Sequence, residues 1–353
     1  MPPNNLEIRK DYLKFSHAKL NFALAILFIV LFAGLIYSSL HVNGATSRPR
    51  YATLNTLAAV EQSVRVESNT PVTLLFVGDI MLSRQIGILM KKYSDWSYPF
   101  QEIALTTQSA DIAFANLEGP IAAGGANQGS MYSFRDDPGA IEGLTYAGFD
   151  VLSIANNHIW DYGPEAFQET IDNLRRAGIS PVGGGMNFSE AYEAVIKNIR
   201  GTRIAFLGYS KLVPPSRTQP DSVPASAYPD IATMTSDIQT ARQESDVVVV
   251  SFHWGNEYEI AHDADQEMLA HAAIDAGAAL IIGHHPHVVE DTESYHGGFI
   301  AYSLGNFVFD QNFSADTKNG LVIRVTIRDR SISDIEELPI YFTATYQPFL
   351  AVP

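Results

Sequence analysis

Three histidines, His284, His285 and His287, fall within four positions, directly after the apolar run 278–282 and Gly283. Neutral imidazole is the commonest protein ligand for a transition metal, and two rings one residue apart can point into one cavity from an extended chain. The chemistry such a cluster could perform is metal coordination. The chain has no cysteine, so thiolates and disulfides are excluded, and any ion must be held by His, Asp, Glu or Asn.

Short apolar runs must position these groups. They occur at 72–77, 111–115, 151–155, 203–207, 246–251, 278–282, 299–304 and 321–327, and helical patterns at 139–147, 164–177, 231–244 and 264–276 lie between them. Pro164 suits a first helical position and Gly178 the position after a helix end. The alternation predicts α/β layers with buried strands.

In α/β sheets, ligands bind beyond the carboxyl ends of the strands. The residues met there are Asp79, Asn116 and Glu118, Asn156-Asn157-His158 with Asp161, His253, the histidine triplet and Asn306. A lone strand-end Asp or Asn is more often a turn or cap residue, in about four cases of five. His253 and Trp254 taken alone would be packing residues. The combination shifts the balance, because five of the ten histidines lie in three strand-end motifs, a pattern suited to a His and carboxylate ligand cluster.

These residues in this order resemble the calcineurin-like metallophosphoesterase superfamily, and more closely its CapA (poly-γ-glutamate biosynthesis) family. The resemblance runs over about residues 72–310 and rests on Phe-Val-Gly-Asp-Ile-Met (76–81), Ala-Asn-Leu-Glu-Gly-Pro (115–120), Phe-Asp-Val-Leu-Ser-Ile-Ala-Asn-Asn-His (149–158) with Asp-Tyr-Gly (161–163), Ser-Phe-His-Trp-Gly (251–255), Ile-Gly-His-His-Pro-His (282–287) and Tyr-Ser-Leu-Gly-Asn-Phe (302–307). It implies a metallophosphoesterase-like α/β fold, a β-sandwich flanked by helices with a dinuclear centre at one end. By motif, Asp79 would bind one metal and Glu118 would bridge both. Asn157, His253 and His285 would bind the second, and His287 would return to the first. His158 would be proton donor or oxyanion stabiliser, with Asn116, Asp161, His284 and Asn306 in support. The implied cofactor is one or two divalent ions, Mn, Fe or Zn, which polarise a phosphoryl or carbonyl oxygen and acidify a water.

Two departures bear on the centre. The superfamily's first motif is Asp-X-His, whereas Asp79-Ile80-Met81 puts a poor hard-metal ligand in the histidine's place, and a Gly-Asp pattern becomes Asn116-Leu117-Glu118. The first ion position therefore loses a nitrogen donor, leaving two ions, one or none as the expectation.

Residues 20–40 form an uncharged stretch of twenty-one residues. At about 1.5 Å per residue such a helix spans roughly 30 Å, the thickness of a hydrocarbon core. Arg9, Lys10, Lys14 and Lys19 precede it, while Arg48 and Arg50 follow, so the positive-inside rule predicts a single-pass cell-membrane protein with residues 1–19 cytoplasmic. A cleavable signal peptide is the competing reading; the stretch exceeds a usual apolar signal region, and 43–45 is a poor cleavage signal. Residues 41–71 read as a stalk, with a short helix possible over 54–66, and 72–353 as the extracellular domain. An irregular segment with five prolines is expected at 211–230 as rim or lid, and 122–130, rich in Gly and Ala, is expected to be a second mobile segment.

The net charge is −16; four Lys/Arg and two Asp/Glu lie in 1–19, which leaves 19 against 37, or −18, beyond them. That balance argues against nucleic acid and anionic lipid headgroups as direct partners of the exported part. Through the resemblance, the expected partners are an anionic capsule polymer or its precursor and membrane-embedded synthesis or export proteins. Attraction to a polyanion would need bound cations, a patch such as Arg84, Lys91 and Lys92, or those partner proteins. Three functions stay open: a capsule-polymer role, a metal-dependent phosphoester or amide hydrolase unrelated to capsule, and a non-catalytic assembly component.

Overall fold

The computed structural model describes residues 70–213 and 222–351. The expected membrane segment 20–40, the stalk helix over 54–66 and part of the 211–230 segment lie outside the described residues. Among the described residues, no helix is long and apolar enough to cross a membrane.

In chain order the strands are β1 (Val72–Ile80), β2 (Ile112–Leu117), β3 (Val151–Ser153), β4 (Ser180–Val182), β5 (Gly184–Gly185), β6 (Val195–Ile199), β7 (Thr202–Ser210) and β8 (Ala225–Ser226). They continue with β9 (Val247–His253), β10 (Leu280–His284), β11 (Thr292–Tyr295), β12 (Gly298–Ala301), β13 (Asn306–Val308), β14 (Asn319–Arg328), β15 (Ser331–Phe342) and β16 (Pro348–Leu350). One sheet runs β16-β15-β14-β1-β2-β3-β4, with β13 also beside β1; a second runs β11-β12-β10-β9-β7-β6. β5 and β8 pair separately.

The two sheets face each other across one apolar layer. Leu74, Phe76, Ile112 and Phe114 meet Ile204, Phe206, Val249, Leu280 and Ile282 there. Helices cover both outer faces. Arg84–Tyr93, Ala140–Ala147 and Gly163–Arg176 pack Ile86, Leu144, Phe167 and Ile171 against Leu75, Val77 and Leu152. Ile231–Glu244 and Ala264–Ala276 pack Met234, Ile238, Leu269 and Ala273 against Val248, Val250 and Ile281. The result is an α/β sandwich of helix, sheet, sheet and helix, and burial of both faces of β9 and β10 explains why their sequences are continuously apolar.

Several strands run further than their apolar runs indicate. β1 reaches Ile80, so Asp79 lies within a strand, paired with Asn116 of β2 on one side and Asn306 of β13 on the other. β9 and β10 end on His253 and His284, which are register partners. Polar side chains at these ends broke the apolar pattern while the backbone ladder continued. β15 had no apolar run at all: its residues are mostly exposed and pair antiparallel with β14, so acidic residues occupy the solvent face of an outer strand.

Two glycines permit the close approach that shapes the site end. A Cβ on Gly78 would stand 1.9 Å from the Gly305 carbonyl oxygen, and one on Gly283 would stand 1.7 Å from that of Tyr302.

Candidate metal centre

The carboxyl ends of β1, β2, β9 and β10 converge, and the side chains they deliver are buried. Asp79, Asn116, Glu118, His253, His284 and His287 are almost fully shielded from solvent. Asp79 Oδ1 accepts from Asn116 Nδ2 at 2.8 Å, and its Oδ2 accepts from the His285 backbone N–H at 3.2 Å. Asn116 is held in turn by Asn156, whose Nδ2 donates to Asn116 Oδ1 and to the Leu117 carbonyl.

His287 lies between two carboxylates. Its Nδ1 is 3.4 Å from Asp79 Oδ2, and its Nε2 is 3.6 Å from Glu118 Oε1. Asn306 steadies the ring, with Oδ1 3.1 Å from His287 Nδ1 and Nδ2 donating to the His287 carbonyl at 3.2 Å. His284 Nδ1 lies 3.3 Å from Asp79 Oδ1, close enough for attraction but not aligned as a hydrogen bond. The chain passes from β10 through His285 and His287 at φ +101° and +59°. Such conformations cost on the order of 1–3 kcal/mol each for side-chain-bearing residues and cluster where geometry serves a site.

A second set gathers around His253. Its Nε2 is 2.7 Å from Asn157 Oδ1 and its Nδ1 is 3.3 Å from Asn116 Nδ2, while its ring centroid is 4.9 Å from that of His285. Asn157 and His253 thus pair with each other, and this contact would open if both were to grip one ion.

His158 stands at the rim. Its Nδ1 is 2.8 Å from Asp161 Oδ2 and its Nε2 is 3.8 Å from Glu118 Oε1. Asp161 also accepts from the Phe134 N–H at 2.8 Å and from the Ser130 hydroxyl at 3.0 Å, and Phe134 lies against the His158 ring. The Gly-rich 122–130 segment is tied down here, and Ala123 and Gly124 donate their N–H groups to Glu169.

The electrostatics follow from burial and from who faces whom. Burial pushes the Asp79 carboxyl up, but the close approach and charge of the His284 and His287 rings outweigh it and hold the group well below the carboxylate range. Burial raises Glu118 to about 7, against the attraction of His287 and His158. Burial would depress His287, yet Glu118 and Asp79 push it up to about 9. Burial and the neighbouring rings drive His285 down to about 3 and His253 well below its ordinary value, so both rings are neutral near neutral pH. The His253 nitrogens are engaged by Asn157 and Asn116, and His285 Nδ1 has no hydrogen-bond partner among the described residues.

The donor set fits a divalent cation. Both Glu118 oxygens and His285 Nδ1 are buried without a hydrogen-bond partner among the described residues, a costly state that a bound ion would relieve. Two groups of donor atoms, each within 4.8 Å, stand out: Asp79 with Glu118 and His287, and Glu257 with His285 and His287. The strand-end motifs did not single out Glu257, because it sits on an exposed turn four residues beyond His253, where nothing local marks a ligand. Met81 belongs to the helix-side core, with its sulfur accepting from the Ser83 hydroxyl, and points its side chain into packing.

A cavity of about 210 Å³ opens beside His158 and His287, with Arg84, Tyr132, Tyr258, Phe313 and Glu257 among its walls. Arg84, from the expected basic patch, is paired with Asp310 at 2.8 Å, and Lys91 with Asp137 at 3.0 Å.

The profile of the family described as bacterial capsule synthesis protein PGA_cap matches residues 73–311. The chain is 33% identical over 291 residues to the capsule biosynthesis protein CapA of Bacillus anthracis, over 78% of this chain and 69% of that one. It is 30% identical over 280 residues to the PGA biosynthesis protein CapA of Bacillus subtilis, over 78% and 73%. Among solved structures it is similar to the NAD nucleotidase of Haemophilus influenzae, at 11% identity and a TM-score of 0.45, over 80% of this chain and 60% of that one.

Proposed function

The chain belongs to the bacterial capsule synthesis family PGA_cap, and from that premise we propose that it helps make, export or attach an anionic capsule polymer such as poly-γ-glutamate. In this reading it is held in the cell membrane by residues 20–40, with the domain from residue 72 outside the cell, beside membrane-embedded synthesis or export proteins. The observation that carries a chemical role is the buried group of Asp79, Glu118 and His287, with Glu118 lacking a hydrogen-bond partner among the described residues. A buried carboxylate whose two oxygens both lack a hydrogen bond is costly, and a bound cation would offset that cost.

Asp79, Glu118, His253, His285, His287 and Asn157 would hold one or two divalent ions. When bound, these would polarise a phosphoryl or amide carbonyl oxygen and acidify water for hydrolysis. Asp161 fixes the His158 ring through Nδ1, which leaves Nε2 to hold or deliver a proton at the cavity wall. Tyr132, Tyr258 and Phe313 shape that wall. Because Arg84 and Lys91 already have acidic partners, an anionic polymer would be drawn mainly by bound cations and partner proteins.

Deletion of the gene followed by assay of surface polymer tests the broader role. Loss of polymer, with restoration by the wild-type gene, is the expected result; unchanged polymer in a strain that makes one would remove the proposal. Complementation with Glu118→Gln then separates chemistry from assembly, since a scaffold that needs no ion restores the polymer and a metal-dependent hydrolase does not.

A further inference from the structure

Glu257 lies outside every strand-end motif, yet its carboxylate shares a donor group with two buried histidines. Its place is set by backbone contacts. Gly255, at φ +75°, turns the chain after β9, and the N–H of Tyr258 donates to the Pro286 carbonyl at 2.8 Å, fastening this turn to the histidine loop. Donor atoms of Glu257, His285 and His287 come within 4.8 Å of one another. Independently, His285 Nδ1 is buried without a hydrogen-bond partner among the described residues. Met81, where the superfamily motif has a histidine, is committed to the core.

We propose that Glu257 is a metal ligand that joins His285 and His287 around a divalent cation at the open end of the site, offsetting the donor lost at Met81. This rests on the reading that the site takes divalent cations. A carboxylate with two imidazoles is an oxygen and nitrogen set suited to Mn²⁺, Fe²⁺ or Zn²⁺. The ligand arrives from the β9 turn rather than from β1, so the ion position lies toward solvent and the cavity that Glu257 and His287 line. His287 belongs to both donor groups, whereas Glu257 belongs to one, so a change at Glu257 removes no donor atom from the group of Asp79, Glu118 and His287.

The test uses the full-length chain, stripped with chelator and titrated with Mn²⁺ by calorimetry and with Co²⁺ by visible absorption. Glu257→Gln should lose one binding event or weaken it by about tenfold or more, while Glu257→Asp and Glu257→His, which keep a donor, should retain it. Circular dichroism and the retained variants separate lost ligation from lost folding. Wild-type stoichiometry and affinity in folded Glu257→Gln would overturn the proposal. A wild-type chain that takes up neither ion would instead overturn the metal reading on which it rests.

Discussion

Oε1 of Glu118 lies 3.6 Å from Nε2 of His287, and both side chains are buried. The protonated ring answers one carboxylate through each nitrogen, which is how the interior tolerates Asp79 and Glu118 together. A cation binding among these groups would take over that role.

Metal linkage should therefore be measurable as stability. At a concentration 100 times its dissociation constant, an ion that binds only the folded state adds about 2.7 kcal/mol. Differential scanning fluorimetry with and without Mn²⁺ or Zn²⁺ should show a rise in Tm for the wild type that is mostly abolished in Glu118→Gln. An equal rise in both would remove Glu118 from the ligand set.

His158 titrates under the control of Asp161. Burial alone would lower its pKa, but the Asp161 hydrogen bond and the Glu118 charge raise it above the ordinary histidine value. Asp161→Asn removes the charge while keeping an oxygen for the Phe134 N–H. An NMR titration of the His158 ring should then show a lower pKa than in the wild type, and an unchanged value would contradict the pairing.

Glu290 lies away from the cluster, buried beside Gln266, whose Nε2 donates to Glu290 Oε2 at 2.7 Å; Oε1 has no hydrogen-bond partner among the described residues. Burial raises this carboxyl from 4.5 to about 7. The folded chain thus holds the proton more tightly than the unfolded chain, and the resulting stability is complete below pH 4.5 and lost as the pH rises through about 7. Urea unfolding of wild type and Glu290→Gln at pH 5 and pH 8 should show the variant gaining relative stability at pH 8. A difference independent of pH would count against it.

Gly283→Ala should be among the most damaging small substitutions, because its Cβ would stand 1.7 Å from the Tyr302 carbonyl oxygen. Backbone must shift to admit it, at a cost of about 3 kcal/mol. Gly178→Ala is the contrast: its position has φ +83° but no atom within 4 Å of the added Cβ, so the cost is conformational, about 1 kcal/mol. Chemical denaturation of the two variants ranks them.

Much of the site could be read from the sequence because its signals are local. An apolar run marks a buried strand wherever it lands in the fold, and the polar residues ending each run, Asp79, Glu118, Asn157, His253 and His285, stand out against it. Helices with capping residues and one apolar face, such as Ile231–Glu244 and Ala264–Ala276, are legible for the same reason. β15 was not, since an outer strand with a solvated face carries no continuous apolar run.

Which donors meet was decided by tertiary structure. Three histidines within four positions do not by themselves say which rings meet which partners; the strand-end register pairing His284 with His253, and the positive φ angles at His285 and His287, determine where each ring lies. Those turns depend on contacts far apart in sequence, among them the Gly283 approach to Tyr302 and the Tyr258 N–H bond to Pro286. Glu257 joins the histidines through that last contact, and an exposed glutamate on a turn has no sequence signature until the backbone around it is folded.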